Sequence, residues 1–205
     1  MSGGGNGYYD ELAAHPDPAR VVGWESQALQ ALRHDAALAV ARPGERVLDV
    51  GCGLGDLGAR ALERGLGLDY VGVDAIAAMV ARGRARHPGL DLRALDALAA
   101  PLPACDVAVA VGALVSGESL RSDGARLGRF RRLTETMVAA ATRAVVWVVL
   151  DQDALEARPA LLADEALGGV RPAEVDWVAA RIGWAVTQRA LTELDRLVVF
   201  AGRPA

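Results

Sequence analysis

A group of acids and glycines in the first half of the chain has the types and spacing to hold a positively charged small molecule. In Arg46-Val47-Leu48-Asp49-Val50-Gly51-Cys52-Gly53-Leu54-Gly55-Asp56, an apolar run carries an acid near its end and then three glycines spaced two apart. Glycines allow backbone torsions closed to other residues and let a ligand come close to main-chain N–H groups. A second run, Asp69-Tyr70-Val71-Gly72-Val73-Asp74, ends in an acid 19 residues beyond Gly55. Asp74 can accept hydrogen bonds from both hydroxyls of a ribose or cap a helix beginning near Ala75, and the two uses are compatible. A third acid, Asp96, follows a short apolar run and precedes Ala97. Gly53-Leu54-Gly55-Asp56-Leu57-Gly58 also satisfies the G-x-G-x-x-G pattern of dinucleotide sites. A lone match of that kind is weak, and a carboxylate at Asp49 would repel a pyrophosphate. The histidines, His15, His34 and His87, are scattered, with His87 read as a solvated helix end, and the two cysteines have no metal-site spacing. No metal and no catalytic residue are assigned.

For these residues to converge they must stand at one edge of a sheet. Val47, Leu48 and Val50 have the character of a strand buried on both faces, and Leu57, Ala61 and Leu62 then recur at helical spacing up to a stop at Gly65. Strand, turn and helix in that order aim the positive end of the helix at whatever lies above the strand's carboxyl end. Further strands are expected at 69–74, 90–94, 105–114 and 144–150, with a helix at 75–86. The stretch 116–132 carries Arg121, Arg126, Arg129, Arg131 and Arg132 and runs into a helix over 133–141. It is either a solvated helix face or a rim that recognises anions. Residues 155–167 read as an alanine-rich helix, 172–182 as another, and 184–191 with 196–201 as an antiparallel hairpin. Ahead of the first strand, residues 1–42 form a flexible tail and a helical extension over 24–41, and residues 43–205 form the main domain. Tyr8, Tyr9 and Trp24 either close over the cleft as a lid or pack the extension onto the sheet.

Asp49-x-Gly51-x-Gly53-x-Gly55, with Asp74 and Asp96 at their intervals, resembles motif I and the following acids of class I S-adenosylmethionine-dependent methyltransferases. The resemblance covers about residues 43–201. It implies an α/β, Rossmann-like seven-stranded fold, a mostly parallel sheet finished by a C-terminal antiparallel hairpin. It implies S-adenosyl-L-methionine as cofactor, with Asp49, Gly51, Cys52, Gly53 and Gly55 around its methionine end and Asp74 with Ala75 at the ribose. Asp96 and the N–H of Ala97 would meet the adenine, and Val111 and Gly112 would line the site beside the transferring methyl. The implied activity is methyl transfer; a noncatalytic binding protein or transfer of another group is the alternative. The Asn-Pro-Pro-Tyr and Asp-Pro-Pro-Tyr signatures of amide- and adenine-nitrogen methyltransferases and the Pro-Cys nucleophile used on pyrimidine carbon are missing.

With 205 residues, of which 52% are hydrophobic, the chain suits one well-filled domain. A net charge of −4, from 26 acids against 22 arginines and no lysine, argues against nucleic acid as partner. The expected acceptor is a small molecule, anionic if the arginines of 121–132 face the cleft. No apolar run reaches the ~18–20 residues of a membrane span and the N-terminus is polar, so a cytoplasmic protein is expected. Cys52 and Cys105 fall at opposite ends of parallel strands, beyond the roughly 4.4–6.8 Å between Cα atoms that a disulfide allows, and are expected as free thiols.

Overall fold

In the computed structural model, which describes residues 26–114, 122–159 and 168–202, the apolar runs become the strands of one seven-stranded sheet. In chain order the elements are α1 (Gln27–Leu38), β1 (Arg46–Val50), α2 (Asp56–Glu63), β2 (Asp69–Asp74), α3 (Ala77–Arg86), β3 (Asp91–Ala94), β4 (Cys105–Val111), α4 (Asp123–Ala140), β5 (Ala141–Leu150), α5 (Gln152–Glu156), α6 (Pro172–Ile182), β6 (Ala185–Ala190) and β7 (Asp195–Ala201). The strand order is β3-β2-β1-β4-β5-β7-β6. The first five strands pair in parallel, and β7 runs antiparallel between β5 and β6. The start of β7 therefore lies beside the carboxyl end of β5, with Asp195 opposite Leu150.

Alternation along the strands feeds two cores. On one face Leu48, Val50, Trp147 and Phe200 meet Phe130 and Met137 of α4 and Val175 and Val178 of α6. Phe130 and Trp147 pack edge to face with ring centroids 5.2 Å apart. On the other face Val47, Tyr70, Val109 and Val146 meet Ala37 and Leu38 of α1, Leu57 and Ala61 of α2 and Val80 of α3. Helix α1 thus belongs to the same core as the sheet. Ser26 caps it, its hydroxyl accepting from the Leu29 N–H at 3.2 Å. The expected helix began at 24; Trp24, Tyr8 and Tyr9, and with them the lid reading, lie outside the described residues.

Three expected boundaries move for local reasons. Strand β4 ends at Val111, because Gly112 adopts a φ of +73° and turns the chain. Strand β5 starts three residues early, at Ala141, which pairs with Cys105, and Arg143 fixes the extension by reaching Glu45 and the Val40 carbonyl. A short helix, α5, starts at Gln152 ahead of the helix expected over 155–167, since Asp151 caps it by accepting from the N–H groups of Asp153 and Ala154; residues 160–167 of that expectation lie outside the described residues.

Gly72 tests the packing on the second face. A Cβ there would stand 2.7 Å from Leu92 Cδ2 and 2.9 Å from both Cβ and Sγ of Cys52, whereas one on Gly89 would meet nothing within 4 Å. Gly72→Ala should cost roughly 1–3 kcal/mol by overpacking, and Gly89→Ala should stay within about 0.5 kcal/mol of the parent, both read from urea denaturation midpoints.

Candidate functional site

The glycine turn leaves the carboxyl end of β1 and is folded back onto β2. Gly51, Gly53 and Gly55 have φ of +79°, +53° and +82°, torsions that would strain any side-chain-bearing residue. The N–H groups of Gly51 and Cys52 donate to the Val73 carbonyl at 2.8 and 3.0 Å, and the Gly53 N–H donates to Asp74 Oδ2 at 2.9 Å. Asp74 Oδ1 accepts from the Ile76 N–H at 2.8 Å, so one carboxylate ties the turn to the approach of α3. From the other side, a Cβ on Gly51 would come 2.9 Å from Ala113 Cβ, which places the end of β4 directly against the turn.

The acids around this turn are held mainly by neutral donors. Asp49 is 3% exposed, and its Oδ2 accepts a 2.7 Å hydrogen bond from the buried Tyr70 hydroxyl. Burial pushes its pKa up to about 7, the Tyr70 hydrogen bond opposes, and the carboxylates of Asp74 and Asp56 push further upward. Burial likewise raises Asp74 against the N–H groups of Ile76 and Gly53. Burial, then Asp49 and Asp74, keep the Cys52 thiol protonated far beyond neutrality. Asp56, the first residue of α2, receives Gln30 Nε2 on Oδ2 at 3.2 Å and has His87 Nε2 3.3 Å and Arg86 Nε 3.5 Å from Oδ1. His87 is therefore a half-buried neighbour of the turn, in place of the solvated helix end expected for it. The carboxylates of Asp49, Asp74 and Asp56 thus gather around a turn exposed at Gly51, with Arg86 3.5 Å from Asp56, an arrangement electrostatically better suited to a cation than to a phosphate.

Of the sequence-predicted residues, Asp49, Gly51, Cys52, Gly53, Gly55, Asp74, Ala75, Val111 and Gly112 lie at the carboxyl ends of β1, β2 and β4. Asp96 and Ala97 follow β3 at the same edge, where the Asp96 carboxylate is exposed and Oδ1 accepts from the Leu98 N–H at 2.8 Å. Ala97 is buried in the core facing α4 and α6, so only its backbone can serve a ligand. Tyr70 and Asp56 were not singled out in the sequence. The signal for Tyr70 was its register: it sits two residues before Gly72, which pairs with Asp49, and so shares Asp49's face.

The arginine stretch divides. Arg126 is 2% exposed and points inward, its guanidinium donating to both oxygens of Glu174 at 2.9 and 3.0 Å, to Asp123, and to the Gly169 carbonyl. It is neither a solvated face nor an anion rim; it fastens α4 to the start of α6. Arg131 pairs along its helix with Glu135 at 2.8 Å, and Arg121 lies outside the described residues. Both cysteines are free, as expected, and both are buried. Among the described residues there is no group of three potential metal ligands and no helix long and apolar enough to cross a membrane. A surface cleft of about 410 Å³ bordered by Thr142, Ile182, Gly183, Trp184 and Gly202 lies at the other end of β5, with no ionisable side chain among its described lining residues.

A family profile described as a methyltransferase domain matches residues 47–134. No curated protein matches the chain in sequence. Among solved structures, the fold is similar to that of the N-methyltransferase NodS from Bradyrhizobium japonicum WM9 in complex with S-adenosyl-L-homocysteine, at 14% identity and a TM-score of 0.65, covering 96% of this chain and 97% of that one. Magnesium protoporphyrin IX methyltransferase ChlM from Synechocystis PCC 6803, with bound S-adenosyl-L-homocysteine, matches at 13% identity and a TM-score of 0.66, covering 94% and 92%. The pyocyanin biosynthetic protein PhzM matches at 21% identity and a TM-score of 0.68, covering 95% of this chain and 61% of that one.

Two outcomes follow from the charges. The raised pKa of Asp49 means that the folded chain keeps a proton which the unfolded chain, with a carboxyl near ~3.9, has already lost. Stability should therefore fall as pH rises from about 4 to about 7, with Asp74 adding in the same direction. Asp49→Asn keeps an acceptor for Tyr70 and removes the charge, so its melting temperature should overtake the parent's by a few degrees at pH 8 and converge at pH 5; parallel curves would contradict this. Arg126→Ala strands Glu174 and the Gly169 carbonyl and should cost roughly 3–5 kcal/mol in urea denaturation, while Arg132→Ala, at an exposed position, should change stability by less than about 0.5 kcal/mol.

Proposed function

We propose that this chain is a class I S-adenosylmethionine-dependent methyltransferase that transfers the methyl group of S-adenosyl-L-methionine to a small-molecule acceptor. The observation that carries the reading is Asp49, a buried carboxylate under the glycine turn with Asp74 and Asp56 acting on it, where a phosphate-bearing cofactor would need positive groups. The residues fit the cofactor. Gly51 presents an exposed backbone without a Cβ, Asp49 suits the ammonium, and the Asp74 oxygens, each already taking one backbone N–H, have lone pairs left for ribose hydroxyls. Cys52, Gly53 and Gly55 shape the turn, Ala75 borders the ribose, Asp96 and the Ala97 N–H serve the adenine, and Val111 and Gly112 flank the reacting end.

The bound cofactor supplies a methyl group already activated as a sulfonium. What remains to the protein is alignment of that methyl with the acceptor's nucleophile and exclusion of water, which can provide a large share of the barrier reduction. The names of NodS, ChlM and PhzM, together with the acidic balance of the chain, support a small-molecule acceptor. Arg126 and Arg131, engaged with Glu174 and Glu135, are removed from any argument that the acceptor is anionic.

S-adenosylhomocysteine should bind in calorimetry and NAD should give no heat. Asp74→Ala should weaken S-adenosylhomocysteine by about ten- to a hundredfold, the worth of hydrogen bonds to a charged group. Incubation of pools of small molecules with methyl-labelled cofactor should yield a labelled product. NAD binding, or affinity untouched in the variant, would overturn the cofactor assignment; cofactor binding without any methylated product would reduce the protein to a binding module or point to transfer of another group.

A further inference from the structure

We infer that Tyr70 is a positioning residue for the cofactor's amino group, acting through Asp49; this rests on the cofactor reading proposed above. Tyr70 stands on β2 one face-step before Gly72, and its hydroxyl donates to Asp49 Oδ2 at 2.7 Å with both side chains buried. The space for the ring is made by Gly58 of α2, where a Cβ would lie 2.5 Å from the ring. A phenylalanine would fill that space equally well and would not bury a hydroxyl. What the hydroxyl adds is a fixed orientation for Asp49. It occupies Oδ2 and stabilises the charged form against burial, so that Oδ1 meets the ligand as a carboxylate oxygen of defined direction. The neighbouring groups cannot take over this role. Asp74 accepts from the N–H groups of Gly53 and Ile76, Asp56 is engaged with Gln30, His87 and Arg86, and the Cys52 thiol is directed at the Gly53 carbonyl oxygen, 3.9 Å away. Tyr70 donates an aligned hydrogen bond without cancelling the charge, whereas an arginine in its place would neutralise the acid that the ammonium needs.

A pair of ligands separates positioning from general support of the fold. S-adenosylhomocysteine carries the amino-acid end, and 5′-methylthioadenosine shares the nucleoside and lacks that end. In calorimetry, Tyr70→Phe should weaken S-adenosylhomocysteine about tenfold and leave 5′-methylthioadenosine within about twofold. In an Asp49→Asn background the same substitution should have no further effect on the ratio of the two affinities, since the group it acts through has gone. Equal losses for both ligands, or an unchanged ratio, would assign Tyr70 to packing alone and overturn the inference while the cofactor reading stood. A parent protein that bound neither nucleoside would remove the cofactor reading and the inference together. The double-variant arm also guards against poor folding of Tyr70→Phe, because a loss that persists in the Asp49→Asn background counts against positioning.

Discussion

The folding of residues 51–53 back onto the last two residues of β2 is the constraint on which the rest of the site depends. A parallel strand that simply ran on into a helix would carry its loop away from the sheet edge. Here two N–H groups share the Val73 carbonyl and a third reaches the Asp74 carboxylate. That closure fixes the start of α2 and brings Gly51 against Ala113 at the end of β4. It also places Cys52 over Gly72 and sets the backbone of Leu54 close to α3, where a Cβ on Gly83 would lie 2.8 Å from the Leu54 carbonyl oxygen. Glycine at 51, 72 and 83 is thus required from three directions: one torsion and two close approaches.

The same closure accumulates negative charge in a place that water reaches poorly. Asp49 and Asp74 both have their pKa values raised by burial, so this edge of the sheet is a region where the fold works against itself. Such a conflict is resolved by a ligand that brings positive charge, because its binding removes the penalty along with forming the contact. Local instability and ligand preference are then two readings of one electrostatic arrangement.

The topology was legible because its signals are periodic and local. Buried parallel strands read as short apolar runs, acids and glycines marked their carboxyl ends, and Gly65 and Gly183 closed helices with φ of +61° and +71°. What escaped depends on contacts between distant residues. Asp74 was read as a ribose ligand or a helix cap, but its bond to Gly53 spans 21 residues and has no sequence signature. Tyr70 resembled an ordinary strand residue until register set it on Asp49's face. Arg126 belonged to a run of arginines that composition could assign only as a group. Its burial is decided by Glu174, 48 residues away, and by a carbonyl beside the break at Gly168-Gly169. Helix α5 escaped because it depends on one capping acid, Asp151, whose side chain holds the N–H groups of Asp153 and Ala154.

The chain uses arginine as its sole permanently charged basic side chain, and where those arginines sit bears on which cofactor the cleft selects. Away from the cleft, guanidinium forks close on carboxylates: Arg60 on Asp35 at 2.9 Å through two nitrogens, Arg143 on Glu45, Arg93 on Asp91, Arg46 on Asp69 and Arg126 on Glu174. At the ends of β1, β2 and β3 the pattern changes, although Asp151 at the carboxyl end of β5 still takes Arg196 and Asp56 of the turn lies 3.5 Å from Arg86. Asp49 is satisfied by a phenol, Asp74 by two backbone amides and Asp96 by one. Neutral donors meet the hydrogen-bonding needs of an oxygen without cancelling its charge, so these acids stay polarised toward the ligand while costing the fold less than bare burial would. A phosphate cofactor would find repulsion at the point where the glycine turn invites it. A sulfonium nucleoside with a free ammonium would meet attraction there, and the donors to Asp49 and Asp74 leave lone pairs on those oxygens for it.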